Sequence, residues 1–386
     1  MKPWYILCMK LSELLRERGY IYQHSSPLEE ITDSSPRTVY EGFDPSADSL
    51  HVGNLMGLLV LRRFLEAGHK VILVVGGGTG IIGDPSGKSE ERVLLSEEQV
   101  AHNASIIAKQ AEALLASKNF QLVNNAEWLQ KLTLLDFLRD IGKTFSVNAM
   151  ISRDSVKERL EGREQGISYT EFSYMLLQAY DFLYLKQHFG CDWQHGSSDQ
   201  WGNIVSGIDL IRRKTGTVAY GTTHGLLLNK ATGKKFGKTE EGTVWLDPQK
   251  TSPFEFYQFW FNSDDADAEE YLLKMTLLQK QEVDEVMARQ KEKPSSRVAQ
   301  KKLAFEVTAL VHGKDEAKRA ENFDNIPTVA PGKLRDIVKD ISTSELRRLV
   351  EQGAITTSNG QKVESIDTEI TNDTLRIGKH RFLKVT

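Results

Sequence analysis

Apolar and polar positions along the chain change period repeatedly, and the changes mark out its elements. Short apolar, β-rich runs at Thr38–Phe43, Val71–Val75, Gln121–Val123 and Cys191–His195 read as strands. Between them apolar residues recur at helical spacing over Leu55–Ala67, Gln99–Ala116 and Trp201–Arg213. Strands alternating with helices predict an α/β fold, a Rossmann-like doubly wound parallel sheet. Residues 128–184 are mostly helical in pattern and read as an insertion joining the two halves of that sheet, so a first domain is expected over residues 1–220.

Residues 221–249 are rich in Gly, Thr and Lys and read as a mobile connector. Ser252-Pro253-Phe254-Glu255 then combines an N-cap, proline at the first helical position and acid in the first turn. Helical patterns continue to Arg319, predicting an all-α domain over 250–320. Residues 321–331 contain Pro327 and Pro331 and few apolar side chains, the composition of a linker. A small α+β domain over 332–386 follows, with a helix at Ser344–Val350 stopped by Gly353 and a hairpin over Ile355–Val363 turning at Asn359-Gly360.

With 386 residues the chain has material for two or three cores. Its 49 basic and 53 acidic residues nearly balance, so nucleic-acid contact has to come from local patches rather than a global field. Two cysteines, Cys8 and Cys191, are too few for a disulfide framework or a four-ligand zinc site, which fits a reducing, cytoplasmic setting. No segment approaches the roughly 20 apolar residues of a membrane span. The first helical pattern begins at Leu11, making Met9 the expected start and residues 1–8 an extension.

Two short segments carry the chemistry. His51-Val52-Gly53-Asn54 lies between a strand and an apolar helical run, where a helix N-terminus attracts anions and Gly53 lets a nucleotide approach the backbone. Far downstream, Lys235-Phe236-Gly237-Lys238-Thr239 supplies two ammonium groups and a hydroxyl. Together they read as a two-sided clamp for ATP phosphates.

Gly76-Gly77-Gly78-Thr79-Gly80-Ile81-Ile82-Gly83 contains a formal dinucleotide fingerprint, but Asp84-Pro85-Ser86-Gly87 blocks the helix that fingerprint needs. Gly87-Lys88-Ser89 lacks the upstream glycine of a phosphate loop, which leaves neither decoy standing. Over Tyr169–Leu183 the pattern is helical, with Tyr174, Gln178 and Asp181 at i, i+4 and i+7 on one face and apolar residues nearly all round. Such a helix is expected to be buried, and a ligand bearing an ammonium and a hydroxyl satisfies its polar face.

The segment Tyr40-Glu41-Gly42-Phe43-Asp44-Pro45-Ser46-Ala47-Asp48-Ser49-Leu50-His51-Val52-Gly53-Asn54, followed later by Lys-Phe-Gly-Lys-Thr, closely resembles the bacterial-type tyrosyl-tRNA synthetases, class I aminoacyl-tRNA synthetases. The likeness runs from about Leu11 to the C-terminus and implies a Rossmann-like catalytic domain with an S4-like RNA-binding domain at the end. It implies that tyrosine attacks the α-phosphate of Mg-ATP and that the adenylate then passes to tRNA(Tyr), with no covalent enzyme intermediate.

By the same resemblance His51, Asn54, Lys235, Lys238 and Thr239 stabilise the transferring phosphate. Gly42, Asp44, Ser46, Gly53, Ser197, Asp199, Gln200 and Lys238 meet ATP. Tyr40 and Asp181 meet the phenolic hydroxyl of tyrosine, while Thr79, Asp84, Tyr174, Gln178, Gln194 and Gln200 line the rest of its site. Lys88, Arg92, Arg347 and Arg348 are implied tRNA contacts, and a homodimer is implied.

Two positions depart from the family pattern: Asn54 stands for a second histidine and Ser197 for glycine. Thr356-Thr357-Ser358 also replaces a shorter S4 stretch, and residues 331–386 hold 10 basic against 8 acidic groups. The alternatives are a tryptophanyl-tRNA synthetase, disfavoured because indole offers Asp181 no hydroxyl, and a silent RNA-binding paralogue, disfavoured because the clamp lysines are present.

Overall fold

The computed structural model describes residues 9–84, 95–117, 119–151, 156, 167–227, 238–239, 242–322, 326, 328–339, 341–378 and 381–386. The chain forms two compact units, Met1–Phe236 and Gly237–Thr386.

The first unit is built on a six-stranded sheet: β1 Gln23–His24, β2 Thr38–Phe43, β3 Lys70–Val75, β4 Phe120–Asn124, β5 Trp193–Ser197 and β6 Tyr220–His224. Its spatial order is β1-β6-β5-β2-β3-β4, all parallel except the antiparallel edge strand β1. Taking the five parallel strands alone, the order is third, second, first, fourth, fifth in the chain. This is the doubly wound arrangement, and its direction reverses between β2 and β5.

Val39, Tyr40 and Glu41 are consecutive and all buried, because helices cover both faces of the sheet. On one face the Val52–Glu66 helix sets Phe64 against Trp193, with ring centroids 4.3 Å apart. On the other the Tyr169–Phe189 helix sets Phe182 against Tyr40 at 5.2 Å. The strand Tyr220–His224 is fully buried, so residues 221–224, read above as the start of a connector, lie within the sheet. Its pattern is polar, and its Thr222 is held by Trp193 Nε1–H, which donates to the hydroxyl at 2.8 Å.

The second unit carries the short pair β7 Lys238–Thr239 and β8 Gly242–Thr243, then helices Pro253–Phe261, Asp265–Met275, Lys280–Glu292, Val298–His312 and Lys314–Glu321. Ser252 caps the first of these helices with Glu255 in a reciprocal capping box, as its sequence predicts. Beyond them lie β9 Thr328–Val329, β10 Gly332–Lys333, β11 Ile355–Thr356, β12 Glu369–Ile370, β13 Asp373–Ile377 and β14 Arg381–Val385. β11-β13-β14-β9 form a four-stranded sheet, so the expected linker contributes a strand, β9. Leu375, Ile377, Leu383 and Val385 face a core shared with Leu346 of the Thr343–Glu351 helix.

Candidate active site

Ligands of doubly wound sheets bind outside the carboxyl ends of the strands, at the point where strand order reverses. Here that point lies between β2 and β5, where Tyr40 and Gln194 are register partners. Asp44 follows β2, Gly76–Asp84 follow β3, Asn125 follows β4 and Asp199-Gln200 follow β5. The segments singled out in the catalytic unit therefore converge on one edge of one sheet.

Two hydrogen-bonded rows run along that edge. In the first, Tyr174 Oη–H donates to Asp44 Oδ2 at 3.0 Å and Thr79 Oγ1–H to Asp44 Oδ1 at 2.8 Å. Asn125 Nδ2 donates both to Thr79 Oγ1 at 3.0 Å and to Asp181 Oδ2 at 2.9 Å. Trp128 Nε1 donates to Asp181 Oδ1 at 2.6 Å. In the second row Gln200 Nε2 donates to Asp84 Oδ2 at 2.5 Å, and Asn203 Nδ2 is shared between Gln178 Oε1 at 2.9 Å and Gln200 Oε1 at 3.2 Å. The expected trio of Asp84, Tyr174 and Gln178 is thus divided: Tyr174 bonds Asp44, while Asp84 and Gln178 belong to the other row. Gln178 is half-buried, unlike the buried Tyr174 and Asp181, so only part of the helix face is sealed from water.

Asn125 and Trp128 carry no motif, and sequence reasoning did not find them. They hold both oxygens of a buried carboxylate with neutral N–H donors. Burial pushes the Asp181 carboxyl up to about 7, with the two donors pulling it back and the Asp44 charge adding to the rise. Beside it the Tyr40 hydroxyl and Gln194 Oε1 are buried with no hydrogen-bond partner among the described residues. Each such group costs about 1–3 kcal/mol unless something in the pocket pairs with it. Burial, with the charge of Asp181 next in order, also keeps the Tyr40 hydroxyl firmly protonated, hence a donor.

At the mouth, His51 is the N-cap of the Val52–Glu66 helix: its Nδ1 accepts from Gly53 N–H at 3.0 Å, and Asn54 Oδ1 accepts from His51 N–H at 3.1 Å. Both clamp residues are therefore committed to a capping box, which leaves the ring proton on Nε2 and the Asn54 amide NH₂ as the donor groups. Gly53 is required by this cap, because a Cβ there would lie 2.7 Å from His51 Cε1. Gly76 is required by the first row, since its Cβ would meet Asp44 Oδ1 and Thr79 Oγ1. Ser197, which departs from the family glycine, donates its hydroxyl to Asp199 Oδ1.

Gly42 and Ser46 are exposed on and beyond β2. The Gly-rich stretch contains a single helical turn, Thr79–Ile82, which Gly83 ends at φ 83°. Lys238 and Thr239 form β7 in the second unit. Lys235, Lys88 and Arg92 lie outside the described residues. Among the described residues no three His, Cys, Asp or Glu side chains converge as a metal site, and no helix is long and apolar enough to cross a membrane.

A doubly wound sheet with an HVGN-capped helix and a polar pocket at its switch point defines a class I synthetase site. The chain belongs to the class I tRNA synthetases of the tryptophan and tyrosine (W and Y) family, whose model matches residues 32–325. It is 50% identical over 344 residues to a tyrosine–tRNA ligase of Roseiflexus castenholzii, covering 86% of this chain and 81% of that protein. It is 44% identical over 418 residues to the tyrosine–tRNA ligase of Staphylococcus epidermidis, covering 97% and 98%. Among solved structures it is similar to a C-terminally truncated mitochondrial tyrosyl-tRNA synthetase of Aspergillus nidulans, with TM-score 0.73 and 32% identity over 82% of this chain and 93% of that one.

Proposed function

We infer that this chain is an ATP-dependent tyrosine–tRNA ligase: it joins L-tyrosine to ATP as tyrosyl-adenylate and transfers the tyrosyl group to tRNA(Tyr). The observation that carries this reading is the Asp181 carboxylate of the Tyr169–Phe189 helix near enough to the Tyr40 hydroxyl of β2 for its charge to be felt there, both groups buried and the hydroxyl with no hydrogen-bond partner among the described residues. A phenol placed there donates to Asp181 and accepts from Tyr40, satisfying both. An indole offers Tyr40 nothing to donate to, and a phenyl ring satisfies neither.

In this reading Asp44 and Asp84, with Tyr174 and Gln178, face the α-ammonium group of the amino acid. Gln194 and Gln200 flank its carboxylate, the nucleophile that attacks the α-phosphate. Gly42, Ser46 and Asp199 hold the nucleotide, the last steadied by Ser197. His51 Nε2–H and the Asn54 amide act on phosphate charge that grows toward the pentavalent state, so their effect is larger on the transition state than on bound ATP. Lys235, Lys238 and Thr239 are assigned to the departing pyrophosphate on the resemblance of their motif. Mg²⁺ enters with ATP as part of the substrate.

A homodimer is proposed on the exposed leucines Leu134, Leu135 and Leu138, with Val147 and Ile151 nearby in sequence, which water leaves poorly solvated. Its setting is taken to be the cytoplasm, where tRNA is charged and the buried free thiol of Cys191 stays reduced. The test of the activity is ATP–pyrophosphate exchange with each of tyrosine, phenylalanine and tryptophan, followed by charging of tRNA. Tyrosine should dominate both assays. Equal exchange with tryptophan would return the assignment to the other branch of the family.

A further inference from the structure

Residues 45–50 form no helix or strand, yet they link Asp44, which accepts from Tyr174 and Thr79, to His51, which caps the Val52–Glu66 helix. Backbone groups in such a segment need partners from outside it. A free run from Pro45 to Leu50 can take any span up to ~17 Å, so its own length does not fix how far Asp44 stands from His51.

The Glu97–Leu115 helix supplies the missing constraint. Val100, Asn103, Ile107, Ala111 and Leu114 recur along it at helical spacing and are all buried. Asn103 interrupts this otherwise apolar stripe, and a buried amide needs a partner. It finds one in the loop, where Nδ2 donates to Pro45 O at 3.0 Å. Two helical turns further on, about 10.5 Å along the axis, Gln110 meets the other end of the loop. Its Oε1 accepts from Leu50 N–H at 2.7 Å, and its Nε2 donates to Ser49 Oγ at 3.0 Å.

The Ser49 hydroxyl donates in turn to Leu50 O at 2.8 Å. The peptide joining Leu50 to His51 is thereby held at both polar atoms, its oxygen by Ser49 and its N–H by Asn54 Oδ1 at 3.1 Å. The helix that carries the two amides is itself fixed. Ser96 and Gln99 close its N-terminus in a reciprocal capping box, and at its far end Arg62 of the Val52–Glu66 helix donates to Leu114 O at 3.2 Å.

We propose that Asn103 and Gln110 are positioning residues for adenylate formation: two amides on one rigid helix set the separation of Asp44 from His51, Asn103 acting through Pro45 on the amino-acid end and Gln110 through Leu50 on the phosphate end. The inference rests on the tyrosine-ligase reading and deepens it. There Asp44 faces the α-ammonium group and His51 acts on the growing phosphate charge, so the span of the loop decides whether the carboxylate and the α-phosphate meet at reacting distance. The two ends should therefore fail differently.

Single-turnover adenylate formation and equilibrium tyrosine binding are measured on full-length Gln110→Met, Gln110→Glu and Asn103→Ala, each well below its melting temperature. Gln110→Met keeps the length of the side chain and loses both hydrogen bonds. It should slow adenylate formation roughly ten- to hundredfold, with the Kd for tyrosine within about twofold of wild type. Gln110→Glu still accepts from Leu50 N–H and from the Ser49 hydroxyl, and should return the rate to within about threefold of wild type. Asn103→Ala should instead raise the Kd for tyrosine roughly five- to tenfold, with the smaller effect on rate.

A wild-type rate in Gln110→Met overturns the proposal. So does a set of variants in which rate and tyrosine affinity fall together in step with melting temperature, because the helix is then structural support alone. A Gln110→Glu protein as slow as Gln110→Met overturns it as well. Should Asn103→Ala lack a cooperative melt, the two Gln110 variants decide the outcome, since that side chain is only half-buried. A wild-type protein without tyrosine-dependent pyrophosphate exchange strikes the ligase reading itself, whereas a wild type that exchanges while Gln110→Met matches its rate strikes the positioning roles alone.

Discussion

In the proposed reading Asp181 has two conflicting requirements: it must be buried to recognise a hydroxyl by exclusion of water, and it must be ionised to accept that hydroxyl's proton in a hydrogen bond. Asn125 and Trp128 reconcile them by donating to both oxygens, so that a carboxyl raised by burial reaches only about 7. Free enzyme below that pH carries a neutral Asp181, and kcat/KM for tyrosine in pyrophosphate exchange should rise with pH through about 7 and level off above it. A profile flat from pH 6 to 8 would contradict this account of the pocket.

The helix spacing of Tyr174, Gln178 and Asp181 made their shared helix face legible in the sequence. The two donors were not legible, because they lie 56 and 53 residues away, just after a strand, in a stretch with no pattern of its own. Only the folding of the sheet brings them to Asp181. The Asp44–Thr79–Tyr174 row was hidden for the same reason: the residue types were visible and their pairing was not.

At the scale of elements, the N-cap of the Val52–Glu66 helix has an observed capping role and, in the proposed reading, a chemical one. His51 closes the helix N-terminus through Nδ1, and the proposed chemistry uses Nε2. His51→Asn keeps an oxygen that can cap, and should leave thermal stability within about 0.5 kcal/mol of wild type while slowing adenylate formation. His51→Ala should slow it similarly and also lose about 1 kcal/mol. Equal stability of the two variants, measured by denaturant melts, would remove the capping role.

The same helix presses Gly57 against Glu41, whose carboxyl burial pushes up to about 8. Between about pH 4 and pH 8 the folded chain holds that proton and the unfolded chain has lost it. Stability therefore falls as pH rises across this window, by up to ~1.4 kcal/mol per unit at the steepest. Glu41→Gln should flatten the fall, as read by melts at pH 5 and pH 8. The strand Tyr220–His224 was missed from sequence because it is buried by polar pairing, with Thr222, His195 and His224 bonding one another, rather than by an apolar run.

For the whole molecule, every residue assigned to tyrosine and to adenylate formation precedes Glu240, while the C-terminal sheet begins at Thr328. Truncation after Asn322, which spares no orphan strand of that sheet, should leave tyrosine-dependent exchange intact and weaken charging of tRNA. Loss of both activities together would mean that the segment supports the rest of its unit. The exposed leucines predict self-association, and Leu135→Asp should shift a wild-type dimer toward monomer in light scattering; a monomeric wild type contradicts the homodimer.

The central claim is that the pocket reads a phenolic hydroxyl, and the direct measurement is the ratio of kcat/KM for tyrosine over phenylalanine in pyrophosphate exchange, compared between wild type and Asp181→Asn. Wild type should discriminate strongly, since phenylalanine leaves the buried Tyr40 hydroxyl unpaired and brings no further donor to the buried Asp181 carboxylate. The variant, if folded by circular dichroism and able to bind ATP, should lose most of that ratio, largely through tyrosine. An undiminished ratio in Asp181→Asn would show that the hydroxyl is read elsewhere and would contradict the account.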